Sequence, residues 1–555
     1  MSSASDLGTS YKMPFTLAGQ WKPFIQRAAS RWSLLLALTV LTISTWVAVH
    51  YASQRILEIE HFRQTETALT AYWMVKEGWQ LAYQTPGWGY PWSAPIEFPI
   101  YQAVVALIVW LGDLPLEPVG RLVSFAFLVA FAWPAYQIAK RLKLPSEAVW
   151  IFCALVWSSP LYLLWGRTFM ISVPAVFFTL AAIPYLLDLR EFPPSWRSAA
   201  LCAVWGTLGM LQRSVTAGPA LLVLAIVVLL PNLRHWRTVA FLRQLMFFAV
   251  GVGLPLAIGI LWTVYADIIK SYNFVGRDLT FQFRLSDKYV GTLSQRFDIS
   301  ALTEIFWKRM FEENAAGILG LALVIGSLFS RERAIRTFVL ICIILTTLPV
   351  MLFFDVSLFL KHYQVSSVVF LIGAVAVSCA IWLPEVVRWR GIVPLVVTIL
   401  VLTNTYMFWS RYGAKVRADR DATNFRGLAV GDVINRYTPT DSGILVFGLY
   451  PGIDGQCLEI AYLSQRKGLT VPDYKEELVG DDPAAFLGGK ELGAMVFCAT
   501  KDKERTKRYN RWIERYSTSP EPRLFRVFGC YVWLPATPVV TLTAGNIVFP
   551  TKFLK

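Results

Sequence analysis

Apolar runs long enough to enter or cross a bilayer recur from position 33 to position 409, and short basic links separate many of them. In hydrocarbon every backbone N–H and C=O must find a partner within the chain, so these runs are expected to be helices. The runs lie near 33–50, 98–111, 121–139, 147–165, 169–188, 198–211, 215–230, 244–266, 315–330, 337–354, 364–384 and 391–409. Of the 555 residues, 55% are hydrophobic and only 16% charged; a soluble chain carries about 25% charged residues. The net charge of +15 sits largely in the links and sets orientation, which argues against nucleic-acid binding.

Arg190 and Arg197 mark one link; Arg234, Arg237 and Arg243 the next; Arg331, Arg333 and Arg336 a third; Arg388 and Arg390 a fourth. Cytoplasmic links carry such excess. Charge parity then allows about 11 full crossings if the short run 98–111 does not count as a whole one, with the N-terminus inside and the C-terminus outside. If the short run 98–111 hides a second crossing the number becomes about 13 with the same ends. Residues 1–32 read as a cytoplasmic segment without a cleavable signal, with Trp21 and Phe24 on a candidate interfacial helix. No internal repeat of the transporter kind is evident.

Residues 33–411 are expected to form the membrane domain, and 412–555 an α/β domain outside the bilayer, long enough to hold its own core. Its β-like runs are 443–448, 494–499 and 523–535, with a helical pattern at 455–466. Cys457, Cys498 and Cys530 allow at most one disulfide among themselves and require none. Cys153, Cys202, Cys342 and Cys379 lie in apolar runs as small packing residues. The cysteines and the four scattered histidines show no metal spacing, so no metal site is expected.

The loop 51–97 is the first long polar interval between apolar runs, and it holds Glu66 and Glu97 close to where hydrocarbon should begin. A carboxylate is costly to desolvate there and usually has a task. From His61 an amphipathic helical pattern runs to about Gly78, which places Glu66 on a juxtamembrane helix beside Arg63, Gln64 and Thr67. Glu66 is a candidate general base for a hydroxyl, with Arg63 as its support; an ordinary solvated helix face is the plainer alternative. Glu97 precedes Pro99, which suits the first helical position, so Glu97 reads either as a favourable charge at a helix start or as a substrate-binding group beside Glu66.

Arg167, Arg213 and the Lys361-His362-Tyr363 triplet fall between spans on the outer side, against the positive-inside bias. Converging cations there suit a lipid-linked phosphate; snorkelling to headgroups is the plainer alternative. His362 reads as an acid/base group, a phosphate ligand or an ordinary hydrogen-bonder. The loop 267–313, with Tyr272, Arg277, Arg284, Lys288, Tyr289 and Arg296, reads as an outer cover or a headgroup-binding surface.

Over residues 33–410 the chain resembles the polyprenol-dependent glycosyltransferases of the GT-C superfamily, in the family-39-like branch that includes protein O-mannosyltransferases and the lipid A aminoarabinose transferase. Arg63-Gln64-Thr65-Glu66-Thr67-Ala68 is similar to that family's first-loop acidic motif, with Glu in place of the usual Asp. Glu97-Phe98-Pro99-Ile100-Tyr101-Gln102 resembles the motif at the loop's return, and His362-Tyr363 the late outer-side motif. Arg167 and Arg213 stand where the family carries Arg and Lys, but Ile171 and Ser172 replace an acidic residue frequent after the former. In the C-terminal region the likeness is confined to placement and to Tyr462-Leu463-Ser464-Gln465-Arg466-Lys467-Gly468.

The resemblance implies a mainly α GT-C membrane protein of about 11–13 helices with an outer α/β domain, in a bacterial inner membrane. It implies an inverting glycosyltransferase that takes a polyprenyl-phosphate sugar as donor, without a further cofactor. The acceptor would be a glycan, lipid or protein. Glu66 would be catalytic, with Arg63, Glu97, Arg167, Arg213, Lys361, His362 and Tyr363 binding substrate. A transporter or flippase for a lipid-linked saccharide is the alternative, and a polysaccharide polymerase or ligase with a pyrophosphate donor is a third reading.

Overall fold

In this computed structural model the described residues are 31–535, without 57, 59, 192–193, 282–288, 390, 419–425, 449–457, 499–501 and 517–522. Trp21, Phe24, Arg284, Lys288, Arg390 and Cys457 therefore lie outside them. Among the described residues, seven helices are long and apolar enough to cross a bilayer by length and composition. Four shorter apolar helices accompany them: Ile100–Gly112, Ser146–Ser158, Ser172–Asp188 and Ile318–Ser327. The chain is a multi-pass membrane protein.

Most of the long helices bury between a third and a half of their residues, whereas Lys361–Val386 is 83% buried. That helix is the most buried of the seven, and its N-terminal end carries the Lys361-His362-Tyr363 triplet. The first helix, α1 (Arg31–His50), packs by Val40, Ser44 and Val47 on Ser146–Ser158, where the Ser44 hydroxyl donates to the Trp157 carbonyl at 2.7 Å. Cys153, Cys202, Cys342 and Cys379 are buried free thiols within this bundle.

The runs 198–211 and 215–230 form one continuous helical assignment, Trp196–Leu229, but it is folded at Arg213. Arg213 has extended backbone angles (φ −166°, ψ 96°). A methyl group on Gly209 would lie 3.1 Å from Ala217 Cβ, and one on Gly206 3.5 Å from Leu221 Cδ1. In a single straight helix residues 206 and 221 would stand about 22 Å apart. The segment is thus a hairpin of two helices with Arg213 at its turn, and small residues allow the legs to touch.

The loop after α1 contains α2 (His61–Glu77), which Gly78 ends with φ 84°. It returns to the bundle through α3 (Ile100–Gly112). Pro99 is the N-cap of α3 and Ile100 its first residue, one position later than expected. Glu97 does not cap this helix; its carboxylate is used elsewhere.

The C-terminal region forms a five-stranded sheet of order β2-β1-β3-β5-β4. The strands are β1 (Gly443–Phe447), β2 (Lys467–Thr470), β3 (Leu492–Cys498), β4 (Arg523–Val527) and β5 (Cys530–Leu534). β1 runs parallel to β2 and β3; β5 runs antiparallel to β3 and β4. The single expected run 523–535 is a hairpin, turned by Phe528 and Gly529 at φ 44° and 78°. The helical pattern at 455–466 becomes Glu459–Ser464 in the described part. Cys498 and Cys530 face each other across β3 and β5 and form a disulfide.

The sheet does not keep its core to itself. Ile444, Leu469, Val496 and Trp533 share one buried cluster with Leu69, Trp73 and Trp88 of the first loop and with Tyr101 of α3. The loop segment 86–89 also pairs with the free edge of β2. Gly468 and Thr470 donate backbone N–H groups to Pro86 and Gly87, and Gly89 donates back to Gly468, each at 2.8 Å. Gly89 holds φ 82° here, where a side chain is disfavoured.

Candidate active site

α2 carries Arg63 and Glu66 three residues apart, so both project from one face toward the returning strand of the loop. Arg63 donates to Glu66 at 2.5 Å through one terminal nitrogen and to Glu97 through the other. Burial works against this guanidinium's charge, but the Glu66 and Glu97 carboxylates outweigh it and hold the proton more firmly than usual.

The backbone around Glu97 is clamped from several elements. Tyr83 accepts the Ile96 N–H and donates to the Glu97 carbonyl, both at 2.8 Å. Burial first, then the Glu97 carboxylate, keep that phenol protonated. The Trp262 indole donates to the Ile96 carbonyl at 3.1 Å, and Phe98 N–H donates to the Leu211 carbonyl at 3.0 Å. The Gln212 amide oxygen accepts the Tyr101 N–H at 3.0 Å, which caps α3 from the hairpin turn.

Arg213, the next residue, stacks over the Tyr363 ring at 4.0 Å and donates to Ser172 Oγ at 2.7 Å. His362 is 2% exposed and pairs through Nδ1 with Glu60, the residue that precedes α2. The Trp165 ring packs edge-on against it at 5.7 Å. Arg63 and Arg213 are both close enough to act electrostatically on His362, and Tyr363 on Arg63. The site thus joins the first loop, the hairpin turn and the N-terminal end of the most buried helix.

Arg167 lies deeper, 1% exposed, and donates to Glu58 at 2.8 Å. Arg121, equally buried, donates to the other Glu58 oxygen. Burial opposes the Glu58 charge, but Arg121 and Arg167 together bring its pKa below the ordinary carboxylate value. Lys361 turns away from its neighbour His362 toward Glu313, 3.8 Å away, which Arg411 and Tyr412 also contact. Arg63, Glu66, Glu97, Arg213, His362 and Tyr363 are therefore brought together, while Arg167 and Lys361 are drawn to separate carboxylates.

No family model and no curated protein matches the chain. Solved structures do. ArnT from Cupriavidus metallidurans in the apo state aligns with a TM-score of 0.60 at 11% identity, over 90% of this chain and 98% of that one. Its structure bound to undecaprenyl phosphate gives 0.59 at 13% identity, over 91% and 98%. The mycobacterial arabinofuranosyltransferase AftD gives 0.52 at 15% identity, over 92% of this chain and 40% of that one.

The chain has the GT-C fold.

Within that fold, several groups of the site carry no sequence signal of their own. Glu58 and Glu60 stand in a polar stretch where any acidic residue looks solvated, and their partners lie 63, 109 and 302 positions away. Arg121 begins what reads as an ordinary apolar run, and Tyr83 is one aromatic among many in the loop. A buried arginine inside a GT-C span was the one available signal, since such a charge needs a partner. The C-terminal sheet reaches the same loop: Lys467 donates to Glu77 at 2.8 Å and to Gln84 at 2.6 Å, and His61 lies 3.3 Å from the buried Glu459.

Proposed function

We propose that this chain is a membrane glycosyltransferase that moves a sugar from a polyprenyl-phosphate donor to an extracytoplasmic acceptor, with inversion. The observation that carries it is Arg63 held between Glu66 and Glu97 beside Arg213, Tyr363 and His362, on a GT-C fold. Carboxylates on one side and cations on the other are what a displacement at an anomeric carbon calls for. ArnT has been captured with undecaprenyl phosphate, and a lipid phosphate of that class is the leaving group we assign.

Glu66 takes the proton of an acceptor hydroxyl while its oxygen attacks the anomeric carbon. The bond from that carbon to the donor phosphate oxygen breaks, and the lipid phosphate departs with both electrons. Arg213 neutralises the charge that grows on it. Arg63 aligns Glu66 against Glu97. We place the site on the outer face of a bacterial inner membrane, with the N-terminus cytoplasmic. The Cys498–Cys530 disulfide supports an oxidising compartment for the C-terminal domain.

Detergent-solubilised protein given a labelled polyprenyl-phosphate sugar and an envelope extract as acceptor should form labelled product without a sealed compartment. Glu66→Gln should abolish it. Full transfer by Glu66→Gln would overturn the reading.

A further inference from the structure

Glu60 has a backbone conformation that its side chain disfavours. It sits at φ 54°, ψ 40°, the left-handed region, immediately before α2. Its carboxylate makes no cap hydrogen bond to α2. It reaches instead across 302 positions to the Nδ1 of His362. Strain of this kind persists where surrounding structure holds a group for a purpose.

The partner is equally constrained. His362 lies at the start of the most buried helix, 2% exposed, in contact with the Trp165 and Tyr363 rings. A carboxylate on Nδ1 fixes the proton on that nitrogen and leaves Nε2 with a lone pair. Nε2 makes no hydrogen bond among the described residues. The charged and titratable groups facing the ring are Glu60 and Arg63 from the loop, Arg213 from the hairpin turn and Tyr363 from its own helix. Of these groups Glu60 bonds the ring, through Nδ1, and Nε2 is left as an acceptor.

We propose that Glu60 is a positioning residue, and that it holds His362 so that Nε2 accepts a hydrogen bond from a hydroxyl of the transferred sugar. This rests on the glycosyltransferase reading for its ligand, but the histidine geometry can be tested apart from it. The Trp165 and Tyr363 rings that pack on His362 suit the apolar face of a pyranose or furanose.

The experiment compares wild type with Glu60→Gly and Glu60→Gln in detergent. Nitrogen-15 NMR of histidine-labelled protein, with His362→Gln to assign the signal, should show a single tautomer protonated at Nδ1 in wild type. In Glu60→Gly the two tautomers should mix. The donor KM should rise about tenfold in Glu60→Gly, the effect of losing one hydrogen bond, with kcat and acceptor KM little changed. Thermal stability of Glu60→Gly should hold or rise, because glycine accepts the left-handed backbone. Adding Glu60→Gln to His362→Gln should cause no further loss.

A His362 tautomer that is unaltered in Glu60→Gly, or an unchanged donor KM, would overturn the positioning role while leaving the transferase reading intact. Tautomer mixing in Glu60→Gly, in a protein that transfers no sugar, would uphold the histidine geometry and sink the ligand assigned to it.

Discussion

Gln212 and Tyr101 meet where two separate turns of the chain touch: the Gln212 side-chain oxygen takes the Tyr101 backbone N–H at 3.0 Å. The contact fastens the start of α3 to the turn of the Trp196–Leu229 hairpin. It therefore sets the spacing between Glu97, just before α3, and Arg213, just after Gln212. Replacing Gln212 with Leu should cost about 1 kcal/mol of stability through the lost cap. Transfer should fall by about a hundredfold, since small misplacements of catalytic groups are expensive. Thermal melting and kcat on the same preparation check this; a fall in stability alone would remove the positioning argument.

Arg63 answers two carboxylates with two nitrogens of one planar group. Arg63→Lys keeps the charge but not the fork, so it should lose about tenfold or more in kcat. Arg63→Gln leaves Glu66 and Glu97 as neighbouring like charges and should lose more. Adding Glu97→Gln to Arg63→Gln should recover thermal stability without recovering activity. A double-mutant cycle in both quantities tests the pair.

Glu58 is 2% exposed and neutralises two arginines that are each 1% exposed. Glu58→Gln would leave both cations buried with no carboxylate. The expected cost is about 3–5 kcal/mol, read as a large fall in melting temperature or a failure to recover folded protein. Activity per folded molecule is the second readout, because Glu58 pairs with Arg121 and Arg167 rather than with Arg63 or Glu66, and should affect the site only through folding.

Acid should destabilise the first loop in two stages, first at its join with the C-terminal sheet through His61 and then at its join with the helical bundle through Glu58. Burial lowers the His61 pKa below its ordinary 6.5, only partly offset by its contact with the Glu58 backbone. Folding thus favours neutral His61, and this contribution is present above pH 6.5 and lost as pH falls. The Glu58 pKa also lies below its ordinary 4.5, so its contribution is present above that value and lost on further acidification. Melting temperature measured from pH 8 downward should decline in both ranges. His61→Gln should flatten the first decline and leave the second.

The bundle was legible because apolar length and basic links are local signals. The helices fall close to the expected runs, and even the turn at Arg213 lies between the runs 198–211 and 215–230. Glu66, Arg63 and Glu97 stood out because they share the one long polar loop between the first apolar runs, near the expected membrane edge. Glu58, Glu60 and Arg121 did not, because their meaning comes from residues on other helices. β2 was missed for a related reason. Lys467–Thr470 reads Lys-Gly-Leu-Thr, and this strand is stabilised by β1 on one side and by residues 86–89 on the other. The part that Trp73 and Trp88 of the loop play in the core of the C-terminal sheet was not legible for the same reason.

The hydrogen bonds that Pro86, Gly87 and Gly89 exchange with β2 also bear on how such chains can be recombined. A hybrid that imports a foreign C-terminal module at residue 412 would leave this ribbon of the loop with nothing to zip onto, and Trp88 would be bared to water. Successful grafts should therefore transplant the loop ribbon and the module as a matched set.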